Sequence, residues 1–260
     1  MTTPTHDAPT SARPRVLSLG GPSLVIEFGG SRFAVDPTFD RAGEYPIGSR
    51  VLTKTADARL RPEDLGRIDA VLLSHDQHPD NLDSGGRAYL RTAPLVLTTP
   101  VAAGRLDASC RGLEPWDSVL IGGVTVTAVP ARHGPDGTEA ATGPVTGFVL
   151  EAVGSPTVYV SGDNASLDLV AAIAERFPAI ELAILFAGAA RTPLVDGFLT
   201  LTSEEAAEAA RILGRPRVLP AHTEGWAHFT EDTDAFVSAF AAAGLGGLLL
   251  DSTPGSWASI

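Results

Sequence analysis

Four short apolar runs in this chain each stop at a histidine or an aspartate. Ala70–Leu73 leads into His75 and His78, Val124–Val129 into His133, Thr157–Val160 into Asp163, and Val218–Leu219 into His222. Runs of this length, bounded by Gly, Pro and small polar residues, read as buried strands. In sheet proteins built with helices, functional residues gather in the loops at strand ends, where rigid elements hold them. The fold must therefore bring several strand ends to one rim. Imidazoles and carboxylates converging there are the ligand set of a zinc-like ion.

The rest of the chain is patterned for such a fold. Val16–Leu19, Leu24–Phe28 and Phe33–Val35 are strand-like and are separated by Gly20-Gly21 and Gly29-Gly30, as in hairpins. Leu95–Thr98 and Val119–Val129 read as further strands, the second broken at Gly122-Gly123, with a helix starting near Pro100 between them. Phe148–Val153 and Thr157–Val160 form a hairpin around Gly154. Apolar residues at 167, 170, 173, 174 and 177 have helical spacing. Leu182–Phe186 is a buried strand, and Thr202 with Glu205 makes a capping box for a helix ending at Gly214. Thr230–Ala243 reads as a helix and Leu248–Leu250 as a last strand, while Asp36–Leu65 reads as a long unpatterned loop. Hairpins followed by strand–helix alternation predict two sheets packed together with helices outside. Met1–Pro14, rich in Thr, Pro and Ala, reads as a disordered tail.

Composition narrows the function. With 31 acidic against 19 basic side chains the net charge is −12, which disfavours nucleic acid and anionic lipid as partners. No apolar run reaches the ~20 residues of a membrane span, and no basic start with an apolar core marks a secretory signal. The single cysteine, Cys110, excludes an internal disulfide and fits a reducing compartment, so a soluble cytoplasmic protein is expected. No Gly-x-Ser-x-Gly elbow, GxGxxG or Gly-Lys-Ser/Thr is present, which argues against a serine hydrolase and a phosphate loop.

The densest segment is Ser74-His75-Asp76-Gln77-His78-Pro79-Asp80-Asn81-Leu82-Asp83. It resembles the metal-binding signature of the metallo-β-lactamase-fold hydrolases, His-x-His-x-Asp-His after an apolar strand. Val129-Pro130-Ala131-Arg132-His133, Tyr159-Val160-Ser161-Gly162-Asp163 and Leu219-Pro220-Ala221-His222 match further motifs in order. The resemblance covers essentially Val16–Leu250 and is nearest the branch of sugar-phosphate lactonases and N-acyl phosphatidylethanolamine phospholipases. It implies an α/β fold, a four-layer αββα sandwich of two mixed sheets with helices outside, as a single metallo-hydrolase domain over 15–260.

Two departures from the signature matter. His75 and His78 stand three apart rather than two, and Asn81 replaces the final histidine. With Asp80 kept in register, the resemblance implies one site of His75, His78 and His133, bridged by Asp163. A second site would hold Asp80, Asp163, His222 and at best the amide oxygen of Asn81, a poorer zinc ligand than imidazole. One tightly held Zn2+ and a second, weaker Zn, Mn or Fe are expected. The implied activity is cleavage of an ester, lactone or phosphodiester of a small molecule by metal-bound hydroxide, with Asp163 holding the ions and Asp80 taking a proton. The competing reading is a metal-binding or regulatory protein with a degraded, non-catalytic centre. Arg132, Trp226 and His228 are candidates for the substrate pocket, and Asp36, Asp76 and Asp83 for the partners of the imidazoles' outer nitrogens. A small molecule is the expected partner, and a homo-oligomer stays open.

Overall fold

In the computed structural model, residues 13–48 and 50–260 are described. The predicted tail falls on 1–12, outside the described residues; Arg13 and Pro14, its last two residues, precede the first strand.

Side-chain alternation builds the layers. The first sheet contains β1 (Arg15–Gly20), β2 (Ser23–Phe28) and β3 (Ser31–Val35), joined antiparallel. The hairpin β4 (Gly43–Ile47) and β5 (Arg50–Lys54) stands apart as its own two-stranded sheet. β6 (Ala70–Leu72), β7 (Val96–Thr98) and β8 (Cys110–Gly112) then extend the first sheet in parallel. The second sheet holds β9 (Ser118–Ile121), β10 (Val124–Pro130), β11 (Thr146–Ala152), β12 (Thr157–Val160), β13 (Ile180–Phe186) and β14 (Arg217–Ala221). A short β15 (Trp257–Ser259) closes the first sheet beside β1, giving the order β15-β1-β2-β3-β6-β7-β8. The second sheet runs β14-β13-β12-β11-β10-β9, antiparallel from β9 to β12 and parallel from β12 to β14.

Leu24, Ile26 and Phe28 of β2 face Val124 and Val126 of β10 and Ile184 and Phe186 of β13 in the core between the sheets. The intervening Val25 points to the opposite face, where Leu73, Leu82 and Leu90 cover it. On the second sheet Ala183 and Leu185 point outward, under the helices. Period-two alternation thus makes three apolar layers from two sheets.

Helix α1 (Ser84–Leu90) covers the first sheet, capped by the Asp83 carboxylate accepting from Gly86 N. Two short helices, α2 (Pro100–Ala103) and α3 (Glu139–Thr142), lie in connections. The second sheet is covered by α4 (Leu167–Arg176), α5 (Ser203–Ile212) and α6 (Thr233–Ala242). Thr202 and Glu205 form the predicted capping box of α5. The four-layer αββα expectation holds. No helix among the described residues is long and apolar enough to cross a membrane.

Two local expectations are corrected. The segment expected as an unpatterned loop contains the β4–β5 hairpin. Pro46 obscured it in sequence, yet a free-standing ribbon tolerates a missing backbone donor. Leu248–Leu250 is not a strand: a 3-10 turn covers Gly246–Leu248, and only one bridge, Val218 to Leu249, joins the sheet.

Candidate metal centre

All four strand ends flagged in the sequence meet at one rim. β6 runs through Leu73 and Ser74 into His75, β10 delivers His133, β12 delivers Asp163, and β14 delivers His222. Each of the four side chains is buried. His222 has a positive φ of 58°, an uncommon conformation for a residue with a side chain. Its backbone is gripped from two sides: His222 N donates to Gly21 O at 2.9 Å, and a Cβ on Gly188 would fall 2.1 Å from His222 O. Gly162, at φ 57°, plays a similar part before Asp163, because a Cβ there would meet Thr146 O at 2.6 Å.

Two triads result, His75–His78–His133 and Asp80–Asp163–His222, each with ligand atoms within 4.8 Å of one another. In the first, His78 Nδ1 lies 2.9 Å from His75 Nε2 and 3.2 Å from His133 Nε2. Nitrogens bound to a tetrahedral zinc at 2.0–2.1 Å sit about 3.3–3.4 Å apart, so this spacing fits a shared ion. In the second, His222 Nε2 is 3.2 Å from Asp80 Oδ2 and 3.5 Å from Asp163 Oδ2. Asp163 Oδ2 also stands 3.7 Å from His133 Nε2, which places one oxygen between the triads. Neither Asp80 Oδ1 nor Asp163 Oδ2 has a hydrogen-bond partner, although both are buried. Ionised carboxylate oxygens without partners are costly in a protein interior, and a cation answers that cost.

Protonation states agree with this. Burial lowers His75 to about 4 and His78 to about 3, so both are neutral donors near pH 7. Burial opposes charge on Asp80 and Asp163, but His228 and His222 hold Asp80 ionised, and His222 and His133 do the same for Asp163. Burial also opposes charge on His222, yet Asp163 and Asp80 outweigh it and raise its pKa.

Neighbouring groups fix the tautomers. His133 Nδ1 donates to Leu199 O at 2.9 Å, leaving Nε2 to face the triad. Ser74 Oγ donates to Asp36 Oδ2 at 2.7 Å and lies 3.0 Å from His75 Nδ1. Having given its proton to Asp36, this hydroxyl accepts from His75 Nδ1–H, and Nε2 turns inward as an acceptor. Asp36 is thus the outer partner of His75, reached through Ser74. Asp76 and Asp83 are not such partners: Asp76 pairs with Arg105, and Asp83 caps α1 and pairs with Lys54 at 3.2 Å.

Asn81 behaves differently from the expected weak ligand. Its Nδ2 donates to Asp163 Oδ1 at 2.9 Å and to Asp36 Oδ2 at 3.1 Å. Two carboxylate acceptors identify the atom facing them as nitrogen, so the amide group ties Asp163 to Asp36.

Of the pocket candidates only His228 is at the site, with Nε2 3.2 Å from Asp80 Oδ2. Arg132 is a correction: its guanidinium pairs with Asp136 at 3.0 Å and donates to Ser166 Oγ, away from the centre. Trp226 is another. It is buried under the base of the β4–β5 hairpin, 5.7 Å from the Tyr45 ring, and Thr55 N and Ala227 N complete the seam by bonding Gly225 O and Thr53 O. The hairpin so anchored reaches over the triads, and a narrow cleft opens between it and the loop after β13. His78, Asp80, His133 and His228 form the floor of that cleft. Arg50 and Arg191 line it too, and sequence reasoning missed both. The Tyr45-x-Ile47 and Leu52-x-Lys54 alternation around Gly48 was the only signal for the hairpin.

Comparisons with known proteins agree with the geometry. A family model described as a beta-lactamase superfamily domain matches residues 31–223. A UPF0173 metal-dependent hydrolase of Pyrococcus horikoshii is 27% identical over 227 residues, covering 85% of this chain and 90% of the relative. Its counterpart in Methanosphaerula palustris is 32% identical over 178 residues, 66% of this chain and 75% of the relative. The fold is shared with a possible metal-dependent hydrolase from Veillonella parvula, with TM-score 0.85, 16% identity, and 96% and 100% of the two chains covered. An isothiocyanate hydrolase from Delia radicum gut bacteria superposes with TM-score 0.83 at 20% identity, over 95% of this chain and 99% of the other. Strand ends, ligand triads and family model converge, and the chain belongs to the metallo-β-lactamase superfamily of metal-dependent hydrolases.

Proposed function

We propose that this enzyme cleaves an ester, lactone or phosphodiester of a small molecule at a centre holding two ions, at least one of them Zn2+. His75, His78 and His133 would hold the first ion, and Asp80, Asp163 and His222 the second. The observation that carries this reading is the unpartnered Asp163 Oδ2, which faces imidazoles of both triads. Bound there, a divalent ion supplies Lewis acidity and lowers the pKa of water to about 7. The protein's own groups supply orientation. Leu199 O and Ser74 Oγ fix the donor nitrogens of His133 and His75, and Asn81 holds Asp163. Asp80, whose Oδ2 lies 3.2 Å from both His222 Nε2 and His228 Nε2, would take a proton and pass it on toward the cleft.

The donor sets differ in kind. Three neutral imidazoles suit zinc, whereas two carboxylates with one imidazole accept harder ions such as Mn or Fe. One tight and one exchangeable ion therefore follow. Elemental analysis before and after dialysis against chelator tests the stoichiometry. A panel of chromogenic esters, lactones and phosphodiesters, with an isothiocyanate included because the similar structure acts on that class, tests the chemistry. Turnover that requires metal and is lost in His133→Ala and Asp163→Ala is expected. Protein that binds Zn2+ yet turns over nothing in the panel would favour the non-catalytic alternative. Protein that binds no metal would remove both.

A further inference from the structure

Among the described residues, two arginines that line the cleft form no ion pair. Acidic residues outnumber basic ones by 31 to 19, and some arginines pair with them, Arg15 with Glu27, Arg61 with Asp64 and Arg67 with Asp69, while others, such as Arg41, Arg111 and Arg217, form no ion pair among the described residues; what sets Arg50 and Arg191 apart is their place in the cleft. Among the described residues Arg50 and Arg191 have no ion-pair partner, and both line the cleft above the metal ligands. They come from opposite walls, Arg50 from the hairpin and Arg191 from the loop after β13.

Neutral groups hold both in place. Arg50 Nη1 donates to Thr192 Oγ1 at 2.6 Å, bridging the two walls. The Arg191 guanidinium lies 5.0 Å over the Phe198 ring, and Arg191 N donates to His228 O at 3.1 Å. That last bond links Arg191 to the residue whose imidazole touches Asp80. A guanidinium held by a hydroxyl or an aromatic face keeps most of its five N–H donors free. Ile47, Leu52 and Leu199 line the same cleft with apolar surface. The cleft thus combines proposed metal ligands, apolar side chains and two arginines.

We infer that the substrate is a small amphipathic anion whose carboxylate or phosphate group is held by Arg50 and Arg191 while its scissile bond lies over the two triads. This rests on the hydrolase reading above and adds the substrate class. A surface of net charge −12 repels anions at long range, so a pair of cations brought together in one cleft would favour them there. Arginine suits the task because its fork matches carboxylate and phosphate oxygens.

The test compares three chromogenic 4-nitrophenyl esters on the metal-loaded protein: the neutral butyrate, the adipate monoester with a distal carboxylate, and the matching ester with a distal phosphonate. The anionic esters should exceed butyrate at least tenfold in kcat/KM, and the better anion identifies the natural group. That ratio should fall at least tenfold in Arg191→Ala and Arg50→Ala, recover partly in Arg191→Lys, and be kept in Arg111→Ala, an exposed arginine outside the cleft. Butyrate turned over as well as the anions, or a ratio indifferent to both substitutions, overturns the inference and leaves the hydrolase reading standing. If no ester turns over, adipate itself decides: it should raise the melting temperature of the wild type but not of Arg191→Ala, and equal shifts or none overturn the inference.

Discussion

Replacing Asp36 with asparagine should weaken metal binding without touching a ligand. In the wild type the Asp36 carboxylate accepts three hydrogen bonds, from Ser74 N and Ser74 Oγ at 2.7 Å each and from Asn81 Nδ2 at 3.1 Å. Burial raises Asp36 to about 7, so at pH 8 it is mostly ionised and every partner donates to it. Asparagine keeps the shape but turns one oxygen into a donor. Facing Ser74 N, its remaining oxygen leaves the new amine against Ser74 Oγ and the amine of Asn81. The Asn81 bond is lost outright. Ser74 Oγ then accepts from the substituted amide and gives its own proton to His75 Nδ1. The imidazole proton moves to Nε2, the atom that faces His78 and His133. Outer partners of metal-bound histidines are typically worth 10–100-fold in affinity, about 1.4–2.7 kcal/mol. Competition against a chromophoric chelator at pH 8 measures that loss for Zn2+. Long-range nitrogen NMR of the metal-free protein reports the tautomer. Unchanged zinc affinity together with a proton still on Nδ1 would refute the relay through Ser74.

Other outcomes follow from the same geometry. Gly188→Ala places a methyl 2.1 Å from His222 O, so His222 must shift; a loss of about 1–3 kcal/mol in denaturant stability and a lower content of exchangeable metal are expected. Chelator-treated protein should gain stability with rising pH between about 4.5 and 6. His75 and His78 fall to about 4 and 3 from 6.5 on folding, so the unfolded chain binds more protons in that window, and their contribution is lost as pH falls. Asp36, raised from 3.8 to about 7, and Glu224, also raised by burial, act in the opposite direction, while the lowered Asp80 and Asp163 act with the two histidines, so the net is a rise. His78→Gln should flatten it, as urea titrations at pH 4.5 and 6 would record.

The six proposed ligands were legible because local pattern and chemistry coincide there. A buried strand is apolar on both faces, and polar residues within a few positions of its end stand near the sheet's rim. His75, His78, His133, Asp163 and His222 are such residues, and Asp80 follows in the same loop as the two histidines. The capping box at Thr202 is likewise a local signal with a local cause. The β4–β5 hairpin was not legible. Its strands bury only Lys54 and carry Pro46, and what holds them is distant: the Trp226 ring and the backbone of Gly225 and Ala227.

Sequence alone determined the two-sheet sandwich, the rim at which the imidazoles collect and the charge class of metal ligand, since each depends on periodicity or on residue type at a strand end. Only the tertiary structure decided which aspartate serves which imidazole. Asp36, Asp76 and Asp83 are equivalent as residues, and they differ by whether Ser74, Arg105 or Lys54 stands beside them. The same holds for the arginines: Arg132 adjoins a ligand in sequence but meets Asp136, while Arg50 and Arg191, far apart in the chain, share one cleft. Pairing of this kind is a property of the closed chain, where long-range register rather than neighbouring sequence sets which charges meet.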